Sequence, residues 1–160
     1  MPAITALLHT QNDALRLGRC LETLYPCDRI VVVDHGSRDS TPQLAREYGA
    51  QVLAAIPGAA QGHYVPSTAP GWIFCLDPRE SASESLAASL YEWKLQPASS
   101  APIYALAVFL REETAQGWVP VPVPQTRLVP PDWHRWDGFL PQSDPSAVAL
   151  EGELLRFEFP

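Results

Sequence analysis

The chain has 160 residues, 46% of them hydrophobic and 18% charged, and its formal net charge at pH 7 is −7. Its length suits a single domain with a core of its own, and its composition excludes a disordered chain. The acidic balance argues against nucleic acid as a partner, because binding a phosphate backbone requires a basic surface.

The sequence also favours a cytoplasmic protein with no transmembrane segment. Residues 1–8 show no basic leader followed by a long apolar run, and no apolar window reaches the roughly 18 residues of a membrane-spanning helix. The three cysteines, Cys20, Cys27 and Cys75, form no CxxC pair, and an odd number suits a reducing compartment. We expect Cys20 and Cys75 to be buried thiols, whereas the environment of Cys27 stays open.

The first predicted strand, residues 4–9, is mostly apolar and runs into a polar segment, which is typical of a buried parallel strand. A helix is predicted to follow with Asp13 as its N-cap, because apolar residues then recur at three- and four-residue spacing until Pro26. The next run, Arg29–Asp34, contains four consecutive Ile and Val residues. It is therefore predicted to be a central strand covered on both faces.

Thr41 and Pro42 are predicted to be the N-cap and first residue of a second helix, which Gly49 terminates. Residues 51–56 are predicted to form a third strand. Alternating strands and helices over about 55 residues are typical of right-handed βαβ units around a parallel sheet. The predicted fold class is therefore α/β, a mostly parallel sheet flanked by helices.

Residues 57–70 are rich in Gly, Ala, Pro and Ser and are predicted to form a loop. Residues 71–77 then predict another buried strand, which ends in Asp77. Ser81 and Glu84 have the spacing of a capping box and predict a helix that continues to about Lys94. Residues 97–102 are predicted to be a linker.

The second half of the chain is rich in proline and predicts irregular structure with antiparallel or edge strands. Residues 103–111 and 119–128 are predicted to pair across 112–118, and three prolines in the second segment are predicted to exclude a central position for it. Residues 150–159 alternate apolar and polar side chains, which predicts a last strand. We expect one domain, 1–160, in which 96–160 complete a sheet begun by 1–95.

Three predicted strands end in polar segments, namely residues 10–13, 34–41 and 77–80. Open parallel sheets bind ligands beyond the carboxyl ends of their strands. A carboxylate there can accept hydrogen bonds from a base or ribose, or hold Mg²⁺ or Mn²⁺ against a diphosphate. Asp34 and Asp77 both end apolar strands, where a carboxylate without partners costs stability.

The segment VVVDHGSRDST resembles the signature of family-2 glycosyltransferases, usually written VVDxGSxDGT. The earlier segment ITALLHTQND is similar to that family's first strand and PTYNE loop, and GWIFCLDPRE is similar to the strand that ends in its metal-binding DxD motif. The three segments come in the family's order over roughly residues 3–94, and TRLVPPDWHRWDG is similar to a later family segment. The resemblance implies the GT-A fold of nucleotide-diphospho-sugar transferases, with nucleotide binding in 1–95.

The resemblance also implies site residues. The nucleotide would be bound by a set of residues in the strand-end loops: Thr10, Asn12, Asp34, Ser37, Asp39 and Arg79. Asp77 would face the diphosphate through Mg²⁺ or Mn²⁺, with Glu80 as a further metal ligand. A UDP-sugar is the first donor expected, the acceptor is open, and a homo-oligomer or a partner subunit fits the sequence. Asp39 has an alternative role as a cap of the helix that begins near Thr41.

Two features depart from the family pattern. Arg79 stands where the family has its second DxD carboxylate, and a cation there repels a divalent metal but can meet a diphosphate directly as a bidentate donor. The segment after Trp136 has no His-Glu pair to act as the catalytic base, which leaves Asp137, or else Asp144, for that role. Both aspartates have an alternative as loop residues that bind their own backbone.

Three functions remain in view. The leading one is transfer of a sugar from a nucleotide sugar to an unknown acceptor. The second is a non-catalytic relative that acts as a binding module or subunit, and the third, a nucleotidyltransferase, is disfavoured because the first loop lacks glycine and basic residues. A further cluster, Trp133, His134 and Trp136, either stacks on a sugar or packs as a satellite core. The four histidines show no metal spacing, which disfavours a zinc site.

Overall fold

The computed structural model describes residues 2–96 and 104–160, which form one large mixed sheet, a small hairpin and three α-helices. The large sheet consists of β1 (Ile4–Thr10), β2 (Arg29–Asp34), β3 (Gln51–Ala54), β4 (Trp72–Cys75), β5 (Glu80–Ala82), β6 (Leu106–Thr114), β7 (Gly117–Pro120), β8 (Gln125–Val129) and β11 (Val148–Arg156). The hairpin is β9 (Trp136–Asp137) and β10 (Leu140–Pro141), and the helices are α1 (Ala14–Glu22), α2 (Thr41–Glu47) and α3 (Glu84–Leu95). The predicted linker, 97–102, and Ile103 lie outside the described residues.

The strand order of the large sheet is β3-β2-β1-β4-β8-β6-β11-β5, with β7 paired to the far end of β6. Strands β1 to β4 run parallel, as predicted for the first half of the chain. Their register aligns Thr10 with Asp34, so that the carboxyl ends of β1 and β2 are level. In the second half, β11 runs parallel to β6, and the other pairings are antiparallel. One sheet therefore contains strands from both halves.

Alternate residues of β1 face two different cores. Ile4 and Leu8 pack in the larger core, which the three helices cover. Leu7 packs in a smaller core on the opposite face, together with Tyr64 and Trp133. Since side chains alternate along a strand, His9 lies on the same face as Leu7. This face also carries the segment after β3, which forms two short 3₁₀ turns at Gln61–His63 and Val65–Thr68.

The position of β8 corrects one prediction. Three prolines between residues 119 and 128 were expected to keep this segment out of the sheet centre, yet β8 lies between β4 and β6. All three prolines, Pro120, Pro122 and Pro124, precede β8, which begins at Gln125. The predicted pairing of 103–111 with 119–128 is confirmed, since Arg111 pairs with Pro120 in β7 and Leu106 pairs with Leu128 in β8. The proline-rich run is thus an edge strand and a connection that returns the chain to the centre.

The predicted capping box is also wrong. Ser81 lies in β5, and its hydroxyl donates to the carbonyl of Arg19 in α1. The N-cap of α3 is Ser83, whose Oγ accepts the amide N–H of Leu86 at 3.1 Å. The strand β5 was missed, because three residues are too few to show a period. It pairs with β11, which is distant in the sequence: Leu154 lies opposite Ala82. Such a long-range pairing leaves no local pattern in the sequence.

The other element boundaries differ from the predictions by a few residues, which is ordinary at fraying ends. The N-cap of α2 is Ser40 rather than Thr41, and α1 ends at Glu22, before Pro26. Cys20 and Cys75 are buried thiols, as predicted. Cys27 is half-buried, and burial raises the pKa of its thiol to about 12. Among the described residues no helix is long and apolar enough to cross a membrane.

Candidate functional site

The carboxyl edge of the parallel strands is the part of the molecule where the predicted site residues meet. Thr10 and Asp34 end β1 and β2 side by side, and the segment after β4 begins with Leu76 and Asp77 on the next strand along. Parallel strands that carry connecting helices bring their polar ends to one edge, since every crossover returns the chain in the same direction. Three loops therefore surround this edge.

Asp34 is the centre of the first hydrogen-bond group. Its side chain lies beneath the loop and the residue is 9% exposed. Its Oδ1 accepts the hydroxyls of Thr10, at 2.8 Å, and of Ser37, and its Oδ2 accepts the amide N–H of Ser37 at 2.9 Å. Each carboxylate oxygen can accept two hydrogen bonds. Among the described residues Oδ2 receives only one, so it keeps the capacity to accept another.

Asn12 joins the loop after β1 to the loop after β2. Its backbone is left-handed, with φ of 54°, a conformation that asparagine adopts more readily than most residues. Its side-chain Oδ1 accepts the amide N–H of Arg38 at 2.8 Å, and its own N–H donates to Ser37 Oγ at 2.9 Å. The two loops are consequently held as one rigid rim above the ends of β1 and β2.

Asp39 caps both neighbouring helices. Its Oδ1 accepts the amide N–H and the hydroxyl of Thr41 at the start of α2, and its Oδ2 accepts the amide N–H of Ala14 at the start of α1. The Thr41 hydroxyl, followed by these amides, holds the pKa of Asp39 below its usual value. The structure thus gives Asp39 the capping role, extended to a second helix. Asp13 is the N-cap residue of α1, as predicted, but its carboxylate accepts the amide N–H of Gln11 and makes no capping hydrogen bond to the helix.

Asp77 and Arg79 form an ion pair at the end of β4. Asp77 Oδ1 accepts both the amide N–H and Nε–H of Arg79, each at 2.9 Å, and Arg79 Nη2 lies 3.4 Å from Oδ2. The two side chains are 34% and 43% exposed. Burial by itself would raise the pKa of Asp77, but the hydrogen bonds and charge of Arg79 hold it below its usual value.

Glu80 has a structural role in place of the predicted metal-ligand role. It is fully buried, and Arg127 meets it with two hydrogen bonds, Nη1 to Oε1 at 2.7 Å and Nη2 to Oε2 at 2.9 Å. Arg156 adds two more to Oε2, and Oε1 also accepts the amide N–H of Asp77. Burial would raise the pKa of Glu80, but the two guanidinium groups lower it. The carboxylate is therefore committed to the protein interior.

The two carboxylates at the end of β4 that were predicted to hold a divalent cation do not fit one. Mg²⁺ or Mn²⁺ held against a diphosphate needs at least one carboxylate that is free to ligate it, while water and phosphate oxygens supply the other ligands. Asp77 faces a guanidinium, Glu80 faces two, and Asp39 faces the starts of two helices. Within residues 2–96 and 104–160 no three His, Cys, Asp or Glu side chains are placed to share a metal ion. A cation bound here would have to displace guanidinium groups of the same sign.

A chain of hydrogen bonds behind Thr10 was not anticipated from the sequence. Gln61, which is fully buried, donates its amide to the carbonyl of Phe139 at 3.1 Å and accepts His9 Nε2 at 2.6 Å. His9 Nδ1 in turn lies 2.8 Å from Nε2 of His35, which follows β2. The Gln61 orientation assigns the proton of neutral His9 to Nε2 and makes its Nδ1 the acceptor for His35. Burial lowers the pKa of His9 to about 4.

The β9–β10 hairpin packs against this chain. The ring of Phe139 stacks on that of His9, with centroids 3.7 Å apart and planes 11° from parallel. This contact brings the hairpin to the carboxyl edge of β1. The alternation along β1 was the signal that could have identified His9, since it places the imidazole on the same face as the buried Leu7.

The two candidate catalytic carboxylates have different surroundings. Asp144 is buried, accepts the amide and hydroxyl of Ser146, and pairs with Arg135 Nη2 at 2.7 Å. The Ser146 contacts, followed by Arg135, hold the pKa of Asp144 below its usual value. Asp137 is exposed, and its carboxylate makes no hydrogen bond to the described residues. It lines a cavity of about 320 Å³ whose wall includes Thr126.

The cluster of Trp133, His134 and Trp136 has a mainly structural role. Trp133 is buried in the smaller core, where its Nε1 donates to the carbonyl of Arg135 at 2.7 Å. The guanidinium of Arg135 lies over the Trp133 ring, 4.3 Å from its centroid. Trp136 packs at the edge of the same core, whereas His134 is exposed. The satellite-core alternative therefore describes the tryptophans.

No family model matches the sequence. Two proteins are similar to it in sequence. A TPR repeat-containing protein of Synechococcus elongatus is 33% identical over 126 residues, which are 75% of this chain and 30% of that protein. The lipopolysaccharide core biosynthesis glycosyltransferase LpsC of Rhizobium meliloti is 40% identical over 45 residues, 28% of this chain and 17% of that one.

Solved structures of glucosyl-3-phosphoglycerate synthase from Mycobacterium tuberculosis are similar in fold. The complex with Mn²⁺, UDP-glucose and phosphoglyceric acid has a TM-score of 0.54 at 18% identity, over 69% of this chain and 44% of that one. The complex with Mg²⁺ and UDP has a TM-score of 0.52 at 17% identity, over 68% and 44%. The chain thus spans less than half the length of the proteins it matches. The predicted α/β fold of nucleotide-sugar glycosyltransferases is confirmed.

Proposed function

We propose that the protein binds a nucleotide sugar at the carboxyl edge of β1, β2 and β4 and transfers its sugar to an acceptor. The observation that carries this proposal is the rigid rim formed when Asp34, Ser37 and Asn12 join the loops after β1 and β2. Open α/β sheets bind ligands at this edge. A UDP-sugar is the first donor to test, because proteins of this fold have been solved with UDP and UDP-glucose.

The hydrogen bonds within the rim prepare Asp34 for a ligand. Thr10 and Ser37 hold the carboxylate in place, and its Oδ2 keeps room to accept a hydrogen bond from a ribose hydroxyl or a base N–H. A group held rigidly before binding loses little conformational entropy when the ligand arrives. In this proposal Asn12 shapes the wall of the nucleoside pocket, and Asp39 supports it from below by fixing both helices.

Asp137 is the proposed base for sugar transfer. It is exposed at the wall of a cavity that also includes Arg127, whose Nη1 donates to the carbonyl of Cys75 at the end of β4, whereas Asp144 already pairs with Arg135. A base must be able to approach the acceptor hydroxyl and take its proton. In this proposal residues 1–95 supply the donor site and residues 96–160 the acceptor side.

A second candidate is a nucleotide-binding module without transferase activity, acting as a subunit or within a longer protein. One observation favours it, the commitment of Glu80 to Arg127 and Arg156. This removes one of the carboxylates that a metal-assisted transferase would use to hold the donor. The transferase and the binding module would have the same nucleotide site, and they differ only in whether the sugar is transferred from the nucleotide.

The test is isothermal titration calorimetry of UDP and UDP-glucose into the wild-type protein and Asp34→Asn. We expect the wild type to bind both ligands and the variant to bind at least about tenfold more weakly, because a charge-assisted hydrogen bond is lost. Glu92→Gln is the matched control. Glu92 is exposed on α3, so this variant also replaces a carboxylate with an amide. It lies away from the proposed site, because the nearby Lys94 contacts Asp28 at the opposite edge of the sheet.

Thermal melting of each variant separates a lost ligand contact from a lost fold. Wild-type protein that melts cooperatively but binds neither UDP nor GDP, CDP or TDP would contradict the proposal. Equal binding by the wild type and Asp34→Asn would place the nucleotide elsewhere.

A further inference from the structure

We propose that the guanidinium of Arg79 takes the place of a divalent cation, so that the protein binds the diphosphate of its nucleotide without a metal. This inference rests on the proposed nucleotide site and concerns how its charge is balanced. The carboxylates at the end of β4 already pair with guanidinium groups and are not free to hold a metal ion.

The two carboxylates at the end of β4 are already matched by cations of the protein itself. Asp77 pairs with Arg79, and Glu80 is enclosed by Arg127 and Arg156. Arg156 also pairs with Glu112 at 3.0 Å. A divalent metal would have to approach these guanidinium groups and share Asp77 with one of them, which like-charge repulsion opposes.

Arg79 has donors to spare for an anion. A guanidinium carries five N–H donors in a planar fork. Asp77 takes the Nε donor and one donor of Nη2, and Nη1 makes no hydrogen bond within the described residues. The side chain is 43% exposed. The outer edge of the fork is therefore open to solvent, in the geometry that binds phosphate oxygens two at a time.

The turn that carries Arg79 is anchored on both sides, which fixes the direction of the fork. The amide N–H of Glu80 donates to the carbonyl of Asp77 at 2.8 Å and closes the turn between β4 and β5. The carbonyl of Arg79 accepts the amide N–H of Phe157 at 3.0 Å, just beyond β11. Asp77 then orients the guanidinium through Oδ1. Asp77 is a positioning residue in this arrangement, and Arg79 is the group that touches the ligand.

The experiment compares UDP and uridine by calorimetry, in EDTA and in MnCl₂. We expect wild-type affinity for UDP to be equal in the two buffers within about twofold, because no metal takes part. Arg79→Ala should bind UDP at least about tenfold more weakly in both buffers and bind uridine as the wild type does, because only the phosphate contact is lost. Arg46→Ala is the control, since it removes an exposed arginine from the last turn of α2.

Arg79→Asp tests whether a carboxylate in place of the guanidinium makes UDP binding depend on a metal. It creates a pair of carboxylates with Asp77, so we expect UDP binding to be weak in EDTA and to recover in MnCl₂. Asp77→Asn retains an oxygen acceptor for Arg79 and removes a negative charge near the diphosphate. We expect it to bind UDP as tightly as the wild type or more tightly, whereas a metal-binding aspartate could not be replaced in this way.

The outcomes separate the two proposals. Wild-type binding of UDP that disappears in EDTA would overturn the metal-free inference and leave the nucleotide site standing. Unchanged UDP binding by Arg79→Ala would overturn it as well. Failure of the wild type to bind UDP and uridine in either buffer would overturn the nucleotide site itself, and this inference with it.

Discussion

Arg127 and Glu80 meet in the interior of the protein through two parallel hydrogen bonds, of 2.7 and 2.9 Å, with side chains that are 1% and 0% exposed. This pair joins the central strand β8 to the short strand β5. Removing one partner of a buried pair leaves the other charge without compensation in a medium of low dielectric. The pair therefore links the second half of the chain to the segment after β4.

We expect Glu80→Gln to lower the free energy of unfolding by about 3–5 kcal/mol, because Arg127 and Arg156 would lose their common anion. Urea denaturation followed by tryptophan fluorescence measures this. Glu153→Gln is the matched control, because Glu153 pairs with Arg111 at 2.9 Å in a half-exposed position. Its expected cost is below about 1 kcal/mol. Equal losses for the two variants would contradict the structural role given to Glu80.

Stability should decrease on acidification because of His9. The folded protein holds the pKa of His9 at about 4, whereas an unfolded histidine titrates near 6.5. Between these two values the unfolded state binds the extra proton, so stability falls as the pH falls from about 6.5 to about 4. One such proton contributes a slope of at most about 1.4 kcal/mol per pH unit.

His9→Gln should remove this part of the slope, since glutamine does not titrate. The measurement is the free energy of unfolding in urea at several pH values between 4 and 7. His134→Gln, which removes an exposed histidine, is the control for the loss of any histidine. A slope that is identical in the wild type and His9→Gln would show that the burial of His9 does not determine the acid response.

Phe139 should hold the β9–β10 hairpin in place. Its ring stacks on His9, and its carbonyl accepts the amide of Gln61. Phe139→Ala removes the stack but retains the carbonyl, and an aromatic contact of this kind is worth about 0.5–1.5 kcal/mol beyond its buried area. We expect faster amide hydrogen exchange in residues 136–141 and little change in β1. Unchanged exchange in the hairpin would mean that Gln61 alone anchors it.

Gly152 should tolerate no side chain. Its φ is +96°, and a Cβ atom there would lie 2.2 Å from the amide nitrogen of Leu86 in α3. We expect Gly152→Ala to destabilise the protein by about 3 kcal/mol or more, because both the strained backbone and the overlap must be relieved. Gly117→Ala is the control, with a φ of +113° and open space around it. A similar loss for both, measured by thermal melting, would show that backbone strain alone sets the cost.

The elements that local sequence patterns determine were predicted correctly. The apolar run Arg29–Asp34 predicted β2 with its observed bounds, and the polar residues after β1, β2 and β4 do meet at one edge. These predictions depend on side-chain periodicity and on the handedness of βαβ units, which hold for any parallel sheet.

The remaining features depend on partners that are distant in the sequence. Glu80 has the oxygen atoms of a metal ligand, and only the presence of Arg127 and Arg156 shows that they are already occupied. Likewise, β8 is central because β4 and β6 enclose it, whereas its preceding prolines indicated an edge. Ser81 matched a capping box by spacing, but its hydroxyl is used by α1. Local spacing does not distinguish such alternatives, since the deciding contact is tertiary.

The proposed base can be tested separately from the nucleotide site. If Asp137 takes the proton of the acceptor, Asp137→Asn should lower the rate of sugar transfer or hydrolysis by about 100-fold or more. Binding of UDP should be unchanged, because Asp137 contributes to the acceptor side. The rate is measured as UDP released from UDP-glucose, with water as the acceptor in the first assay.

Asp132→Asn is the control for this prediction, because Asp132 is also an exposed aspartate between β8 and β9. A wild-type rate in Asp137→Asn would exclude Asp137 as the base. A wild-type protein that binds UDP-glucose but releases no UDP with water or with added sugar acceptors would favour the non-catalytic module. That outcome agrees with the enclosure of Glu80, because the donor site would then hold a nucleotide sugar without the groups that activate it.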